Sequence, residues 1–237
     1  MIALIPARGG SKGIPRKNIR DVCGHPLIAY SIIACKLCEK IDKVIVSSDD
    51  DEIIDISKMY GAEIPFKRPA EYASDTSTDF EFLNHFFDNV DSESIALIRP
   101  TTPIRDPKLM CDVIDFFNKN KGDATGLRTI SEVQMTPYKL LRVDGKYCRG
   151  FFDSFDNMKN YTNLPRQIFP KTFIGNGYID IVKRKTISSG KTFGDRVLGF
   201  ETSMTIDVDT LDQLSKIETT GSIEKDSLIS YLDKMRK

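Results

Sequence analysis

The sequence predicts an α/β protein: a mostly parallel sheet flanked by helices, with one smaller excursion. Two observations carry this. Short apolar, β-branched runs alternate with helix-length patterns through the first half of the chain. The opening run, Ile2–Ala7, also reads as a buried parallel strand and stops abruptly in a loop of three glycines and four cations, Arg8, Lys12, Arg16 and Lys17. At 237 residues the chain is long enough for one such domain with a full core, spanning 1–237, with a small appendage.

Taken in order, strands are expected at Ile2–Ala7, Lys43–Ser48, Ala62–Pro65, Ser94–Arg99 and Asp123–Ile130. Helices are expected between them at Pro26–Glu39, Asp50–Tyr60, Asp79–Asn89 and Pro107–Asn120. The last of these has a strong start signal, an Asp106 N-cap followed by proline at the first helical position. The rhythm fails over 134–170, which scatters seven aromatics and three prolines (Tyr138, Tyr147, Phe151, Phe152, Phe155, Tyr161, Phe169; Pro137, Pro165, Pro170) through an irregular or hairpin-like excursion. That apolar content needs cover, either from the domain's own sheet or from a second subunit. Strand character returns at Gly177–Lys183 and Arg196–Thr202, and helices at Leu211–Thr219 and Ile223–Met235 close the chain.

Composition excludes several classes. Lys plus Arg (34) balances Asp plus Glu (34), so no global field attracts nucleic acid or an anionic membrane, and neither partner is expected. No stretch approaches the ~20 apolar residues of a membrane span, and Ile2–Ala7 is too short for a signal-peptide core. The expected location is the cytoplasm. Five cysteines, an odd number, fit reduced thiols. Cys35 and Cys38 form a lone C-x-x-C, for which buried helix positions are a better account than zinc or redox chemistry.

The opening loop carries the first chemistry. Glycines let a backbone approach a ligand and turn its N–H groups inward, and the cations neutralise a polyanion. A solvated basic turn is the ordinary reading of such a loop; following a strand of an open α/β sheet, it reads instead as a phosphate site. It is no Walker A loop, since Gly13 is followed by Ile14, and Gly9-Gly10-Ser11-Lys12-Gly13 lacks the dinucleotide spacing. Arg8, Lys12 and Lys17 with the backbone of Gly9, Gly10 and Ser11 suit a triphosphate, while Arg16, beside a proline, faces water. The second chemistry is Thr205-Ile-Asp207-Val-Asp209. On a strand the two carboxylates share one face, an arrangement that wants a cation between them. Alone, Asp-x-Asp is often only a strand end; after a basic phosphate loop it is the natural Mg²⁺ site. The third is the polar stretch Arg68–Asp79, where Ser77 or Thr78 also serves as a helix N-cap.

The pattern Ile5-Pro-Ala-Arg-Gly-Gly-Ser-Lys-Gly-Ile-Pro-x-Lys-Asn18 resembles the amino-terminal signature of the acylneuraminate cytidylyltransferases, the CMP-sialic acid synthetases. Further segments resemble the same family in the same order: Val46-Ser-Ser-Asp49, Arg68-Pro, Arg99-Pro-Thr-Thr-Pro-Ile-Arg105, Pro165-Arg-Gln167, Asn176-Gly177 and the Asp207/Asp209 pair. The resemblance implies a Rossmann-like three-layer nucleotidyltransferase fold and a homodimer in which the 134–170 excursion closes the neighbour's site. It implies Mg²⁺-dependent transfer of CMP from CTP to the anomeric hydroxyl of a nine-carbon 2-keto sugar acid. By position it places Ala7, Arg8, Gly9, Gly10, Ser11, Lys12, Lys17, Asn18, Arg68 and Ser77 on the nucleotide, and Asp207 and Asp209 on the metal. It places Arg99, Thr101, Lys139, Arg166 and Asn176 on the acceptor; Arg8, Lys17 and Asp209 become the catalytic candidates.

The acceptor's carboxylate needs a cation, for which Arg99, Lys139 and Arg166 are candidates. Without the resemblance, Lys139 and Arg166 are ordinary surface charges. Arg99 stands where many sialic acid enzymes have glutamine, and Ile174 where several have arginine. These departures point to a modified relative such as legionaminic acid. The rival readings are a cytidylyltransferase for Kdo or pseudaminic acid, a glycosyltransferase with Asp-x-Asp, and a non-catalytic sugar-nucleotide-binding module.

Overall fold

The computed structural model describes residues 1–219 and 227–235. In chain order the strands are β1 (Ile2–Pro6), β2 (Asp21–Val22), β3 (His25–Pro26), β4 (Lys43–Ser47), β5 (Ser94–Leu97), β6 (Gly126–Val133), β7 (Leu141–Asp144), β8 (Tyr147–Gly150), β9 (Thr172–Lys183) and β10 (Val197–Glu201). The helices are α1 (Leu27–Leu37), α2 (Asp51–Met59), α3 (Asp79–Asn89), α4 (Pro107–Asn120), α5 (Arg184–Ser188), α6 (Leu211–Thr219) and α7 (Ser227–Met235). The chain divides into two compact units. The first holds Met1–Thr129, Gly177–Phe200 and Thr205–Lys237; the second holds Ile130–Asn176 and Glu201–Met204.

In the first unit, β1 is a central strand because every side chain from Ala3 to Ile5 is apolar and finds cover on both faces. It runs parallel to β4, with Ile2 opposite Lys43 through Pro6 opposite Ser47, and parallel to β5, with Ile2 opposite Ile95. Strand β9 is antiparallel to β5, placing Asp180 opposite Leu97. The six-stranded order is β10-β6-β9-β5-β1-β4. From β1 the chain moves to β4 on one side and then, through α2 and α3, to β5 on the other. The order therefore reverses at β1, and the loops leaving β1 and β5 part at the carboxyl edge. In open α/β sheets such a switch point is where ligands bind.

Helix α1 is apolar all round, and Leu27 to Cys35 are buried, as a helix enclosed by other elements must be. Among those elements is α7, whose Leu228 and Leu232 are fully buried. The buried His25 ring spans Tyr60 and Asp233 of α7, with Nε2 to Oδ1 at 3.1 Å. Helix α3 starts at a capping box, Thr78 with Glu81, and buries Phe82, Leu83, Phe86 and Phe87 on the other side of the sheet. Helix α4 starts where Asp106 caps the Lys108 N–H at 2.9 Å.

The second unit contains the 134–170 segment. Hairpin β7–β8 pairs Leu141 with Gly150, and Gly145 takes φ 60° in its turn, a conformation that suits glycine. A cluster of rings forms its interior: Tyr138 stacks on Phe169 at 5.1 Å, with Phe152, Phe155 and Tyr161 around it. The Tyr161 hydroxyl accepts from the Phe152 N–H at 2.8 Å and donates to its carbonyl at 2.7 Å. Met135, Leu141, Val143, Tyr147, Phe151, Ile168 and Ile174 of this unit are exposed.

Several sequence expectations need correction. No strand forms at 62–65; Glu63 makes a single bridge to Ile45, and Pro65 has no N–H to extend it. Residues 205–209 are not a strand either, although Val208 is buried between exposed Asp207 and Asp209. Helix α7 begins at Ser227, and the expected residues 223–226 lie outside the described ones. Cys35 and Cys38 are buried, the second just past α1 with its Sγ 2.9 Å from that of Cys111. Burial pushes both thiols up to about 12. Cys23 and Cys148 are exposed.

Replacing Phe86, fully buried and edge-on to Phe87 at 5.4 Å, removes the centre of the α3 face. Phe86→Ala is expected to destabilise by about 3–5 kcal/mol, read as a lower urea midpoint at unchanged slope.

Candidate active site

The loop after β1 is shaped by contacts that exclude side chains. The Ala7 N–H continues the ladder to the Ser47 carbonyl at 3.0 Å, and the Gly9 N–H donates to Asp49 Oδ1 at 3.0 Å. A Cβ on Gly9 would meet Asp50 Oδ2 at 2.7 Å, and one on Gly13 would meet the Asp209 carbonyl oxygen at 2.6 Å. Glycine at both positions is thus a packing requirement, and the second brings the opening loop against the late acidic segment. Arg16 turns away, forking onto Asp50 and onto Glu52 at the start of α2. Its hydrogen bond holds the Asp50 carboxyl below the usual range.

The acidic segment is anchored at both ends. The Val208 N–H donates to the Thr101 carbonyl at 2.7 Å, tying it to the loop after β5. Gln213 Oε1 accepts from the Asp209 and Thr210 N–H groups at 2.8 Å each, while Thr210 Oγ1 accepts from the Gln213 N–H at 3.3 Å. This reciprocal cap starts α6 directly behind Asp209.

Between these loops lies a cleft of ≈ 510 Å³. It brings together Arg8, Ser11, Lys12, Lys17, Asn18, Arg68, Ser77, Arg99, Thr101 and Asp209 from the sequence-derived set. Lys17 Nζ reaches Asp209 Oδ1 at 2.7 Å. Arg8 and Lys12 converge on Asp75, at 3.2 and 2.8 Å, and the Lys12 hydrogen bond lowers the Asp75 pKa. Asn18 donates to the Arg8 carbonyl at 2.9 Å and so braces the loop. Arg68 is almost fully buried, donating to Ser47 Oγ at 3.0 Å and the Ser47 carbonyl at 2.6 Å over the Phe82 ring. Burial lowers its pKa to about 10, still a cation at neutral pH. Ser77 binds its own loop: Oγ donates to the Glu71 carbonyl at 2.8 Å and accepts from the Ser74 N–H at 3.0 Å.

Ala7, Gly9 and Gly10 shape the loop without lining the cleft, and Asp207 is exposed beside it. Lys139, Arg166 and Asn176 lie in the second unit. Lys139 Nζ donates to the Thr162 carbonyl at 2.6 Å and to that of Leu164, so it braces its own unit. Arg166 lines a separate hollow with Thr136 and Lys171 and donates to Gln134 at 3.5 Å. Asn176 donates to Ser131 Oγ at 2.7 Å and Thr202 Oγ1 at 2.6 Å.

Sequence reasoning missed the counter-charges. Arg99 forks onto Asp79, with Nη1 to Oδ1 at 3.4 Å, and lies 4.0 Å from Asp180. Burial acts to lower the Arg99 pKa, but Asp79, Asp180 and Asp207 together raise it above the ordinary value. Asp79 is hidden in the sequence as a helix start. Asp180 leaves one signal, a lone acid in the apolar run Tyr178–Val182. Arg105, fully buried, staples this loop by donating to the carbonyls of Tyr178 at 2.8 Å, Arg99 at 2.8 Å and Gly177 at 3.3 Å.

Among the described residues no three His, Cys, Asp or Glu side chains gather to hold a metal. A donor set of two carboxylates suits a hard cation that completes its shell with water and phosphate oxygens, which is the habit of Mg²⁺.

The family model described as Cytidylyltransferase matches residues 2–142, more than half the chain. The chain belongs to the cytidylyltransferase family. This cytidylyltransferase is 28% identical to the CMP-N,N'-diacetyllegionaminic acid synthase of Legionella pneumophila, over 97% of this chain and 99% of that one. It is 40% identical to the N-acylneuraminate cytidylyltransferase of Escherichia coli, over 49% of this chain and 28% of that longer protein. In fold it is similar to a CMP:2-keto-3-deoxy-manno-octonic acid synthetase solved with CTP, with TM-score 0.69 and 16% identity over 94% of this chain and 99% of that one. The parallel strands, the crossing order and the helices on both faces are those of a nucleotidyltransferase. Among the described residues no helix is long and apolar enough to cross a membrane.

Asp75 holds two of the cations that a triphosphate would claim. Asp75→Asn is expected to tighten CTP binding severalfold by calorimetry and to steepen its salt dependence. Unchanged or weaker binding would show that the carboxylate does not compete.

Proposed function

We propose that this cytidylyltransferase transfers CMP from CTP to the anomeric hydroxyl of a nine-carbon 2-keto sugar acid of the N-acylneuraminate or legionaminate type, releasing pyrophosphate. The observation that carries the reading is the meeting of the opening loop with the acidic segment on one cleft: Lys17 on Asp209 at 2.7 Å, with Gly13 against the Asp209 backbone. Such transfer asks for alignment of oxygens and stabilised negative charge. The near full-length similarity to a legionaminic acid synthase favours a legionaminate-type acceptor, and Arg99 in place of glutamine agrees with it. Pseudaminic acid is the second reading, since a pseudaminic acid cytidylyltransferase of Campylobacter jejuni is 34% identical over 51% of this chain.

In this mechanism Arg8, Lys12 and Lys17 hold the β- and γ-phosphates, with Ser11 and the glycine backbone beside them. Arg68 and Asn18 shape the wall that receives ribose and base, with the Ser77 turn next to them. Arg99 and Thr101 face the acceptor, as do Lys139, Arg166 and Asn176 in the reading where a second subunit completes the site. Asp207 and Asp209 would hold Mg²⁺. Bound there, the metal supplies charge for the departing pyrophosphate and lowers the pKa of the acceptor hydroxyl. The exposed apolar side chains of the second unit support a homodimer. The location proposed is the cytoplasm.

Pyrophosphate release from CTP, assayed with N-acetylneuraminate, legionaminate, pseudaminate and Kdo, tests the reading. The legionaminate-type acid is expected to turn over fastest, and only while Mg²⁺ is present. Equal or better turnover of N-acetylneuraminate removes the modified-acceptor assignment, and no release with any acid removes the function. Asp209→Ala and Lys17→Ala are each expected to lower kcat by about 10²-fold or more, with unchanged unfolding midpoints. Near-normal kcat in Asp209→Ala would overturn the metal assignment.

A further inference from the structure

From the cleft wall four alternating charges follow one another: Asp79, Arg99, the buried Asp180 and, half-exposed beyond it, Arg128. Asp79 and Arg99 line the cleft. Asp180 is 1% exposed, on β9 between Ile179 and Ile181, both fully buried. Its Oδ2 lies 4.0 Å from Arg99 Nη2 and its Oδ1 3.7 Å from Arg128 Nε. Both Oδ1 and Arg128 Nε are buried without a hydrogen bond. An ionised carboxylate in such a strand interior is strongly disfavoured unless cations face it, and even a paired one is commonly no more stable than a hydrophobic replacement. The arrangement therefore calls for a reason other than stability. Asp180 opposes Leu97 across the ladder, two residues before Arg99, which brings its carboxylate beside that guanidinium.

The arrangement also decides what Arg99 is able to recognise. Asp79 takes both of its terminal nitrogens, Asp180 lies 4.0 Å from one of them, and the charge it presents to the cleft is compensated. An entering carboxylate would meet Asp79 as well as Arg99, and like charges at contact distance disfavour joint ionisation. A hydroxyl or amide oxygen meets no such repulsion and still accepts a charge-assisted hydrogen bond. We propose that Asp79 and Asp180 hold Arg99 as a charge-compensated donor that recognises an uncharged oxygen of the acceptor, a hydroxyl or an acylamido carbonyl, and not its carboxylate. Asp180 is then a positioning residue, and Arg99 sets acceptor specificity. The inference rests on the proposed transfer to a sugar acid and replaces the expectation that Arg99 is the carboxylate's counter-ion.

The test is a cycle of enzyme and acceptor changes. Wild type, Arg99→Gln, Asp180→Asn and the double variant are assayed for pyrophosphate release with the best acceptor, its carboxyl methyl ester, and analogues each lacking one hydroxyl or the acyl group. Esterification is expected to weaken wild type and Arg99→Gln by the same factor. For one neutral-group analogue the loss seen in wild type, about tenfold or more for a charge-assisted hydrogen bond, is expected to vanish in Arg99→Gln. Asp180→Asn is expected to raise the acceptor KM while leaving kcat and the CTP KM unchanged, and to add nothing in the Arg99→Gln background. Asp79→Asn, at the half-buried first residue of α3, repeats the acceptor-specific loss should Asp180→Asn fold poorly. An ester penalty abolished by Arg99→Gln, or no analogue whose penalty collapses, overturns the inference. So does an Asp180→Asn effect that falls equally on CTP or persists without Arg99. Wild type inactive with every sugar acid overturns the proposed function and this inference together; each of the other failures leaves that function standing.

Discussion

The approach of the Gly13 backbone to the Asp209 carbonyl is the constraint on which the cleft depends. A side-chain carbon at position 13 would lie 2.6 Å from that oxygen, so the opening loop closes on the acidic segment only because the residue has none. With the loop in place, Lys17 reaches Asp209, and Val208, fully buried, locks the segment to the loop after β5. Three stretches distant in sequence are thereby made one wall. The sheet supplies the rest: a reversal of strand order at β1 leaves a crevice at the carboxyl edge, and short loops need reach only across it.

Within that wall four of the cations are held by acids. Arg8 and Lys12 share Asp75, Lys17 takes Asp209, and Arg99 takes Asp79. Most of these pairs are solvent-accessible, where an ion pair contributes at most about 1 kcal/mol to stability. Their meaning is therefore chemical rather than structural. An anion entering the cleft exchanges partners with carboxylates already there, and only a group with several closely spaced negative charges has the advantage in that exchange. Arg99 differs because a second, buried acid stands behind it.

Much of this was legible in the sequence, for identifiable reasons. Helices α3 and α4 begin and end where their caps and periodicity place them, and α6 begins where its periodicity does, because the signals are local: Thr78 with Glu81, Asp106 before Pro107. The cations of the cleft were legible because a long motif of fixed spacing carries them. The hairpin of β7 and β8 was legible only as part of an irregular or hairpin-like excursion, since Leu141 to Asp144 and Tyr147 to Arg149 are exposed on both faces and show no alternation of burial. The segment at 205–209 kept its in-and-out pattern without forming a strand, because Val208 pairs once with a loop carbonyl and finds no ladder. Asp75, Asp79 and Asp180 were missed as a class. A counter-ion is chosen by tertiary approach, and nothing in its own neighbourhood of sequence announces its partner.

The cysteines offer an experimental handle. Cys35 and Cys38 are buried with their thiols held protonated, and Cys111 is occupied by Cys38. Cys23 and Cys148 are exposed, one in each compact unit. Maleimide dyes should thus react at two native positions, one in each unit, without mutagenesis.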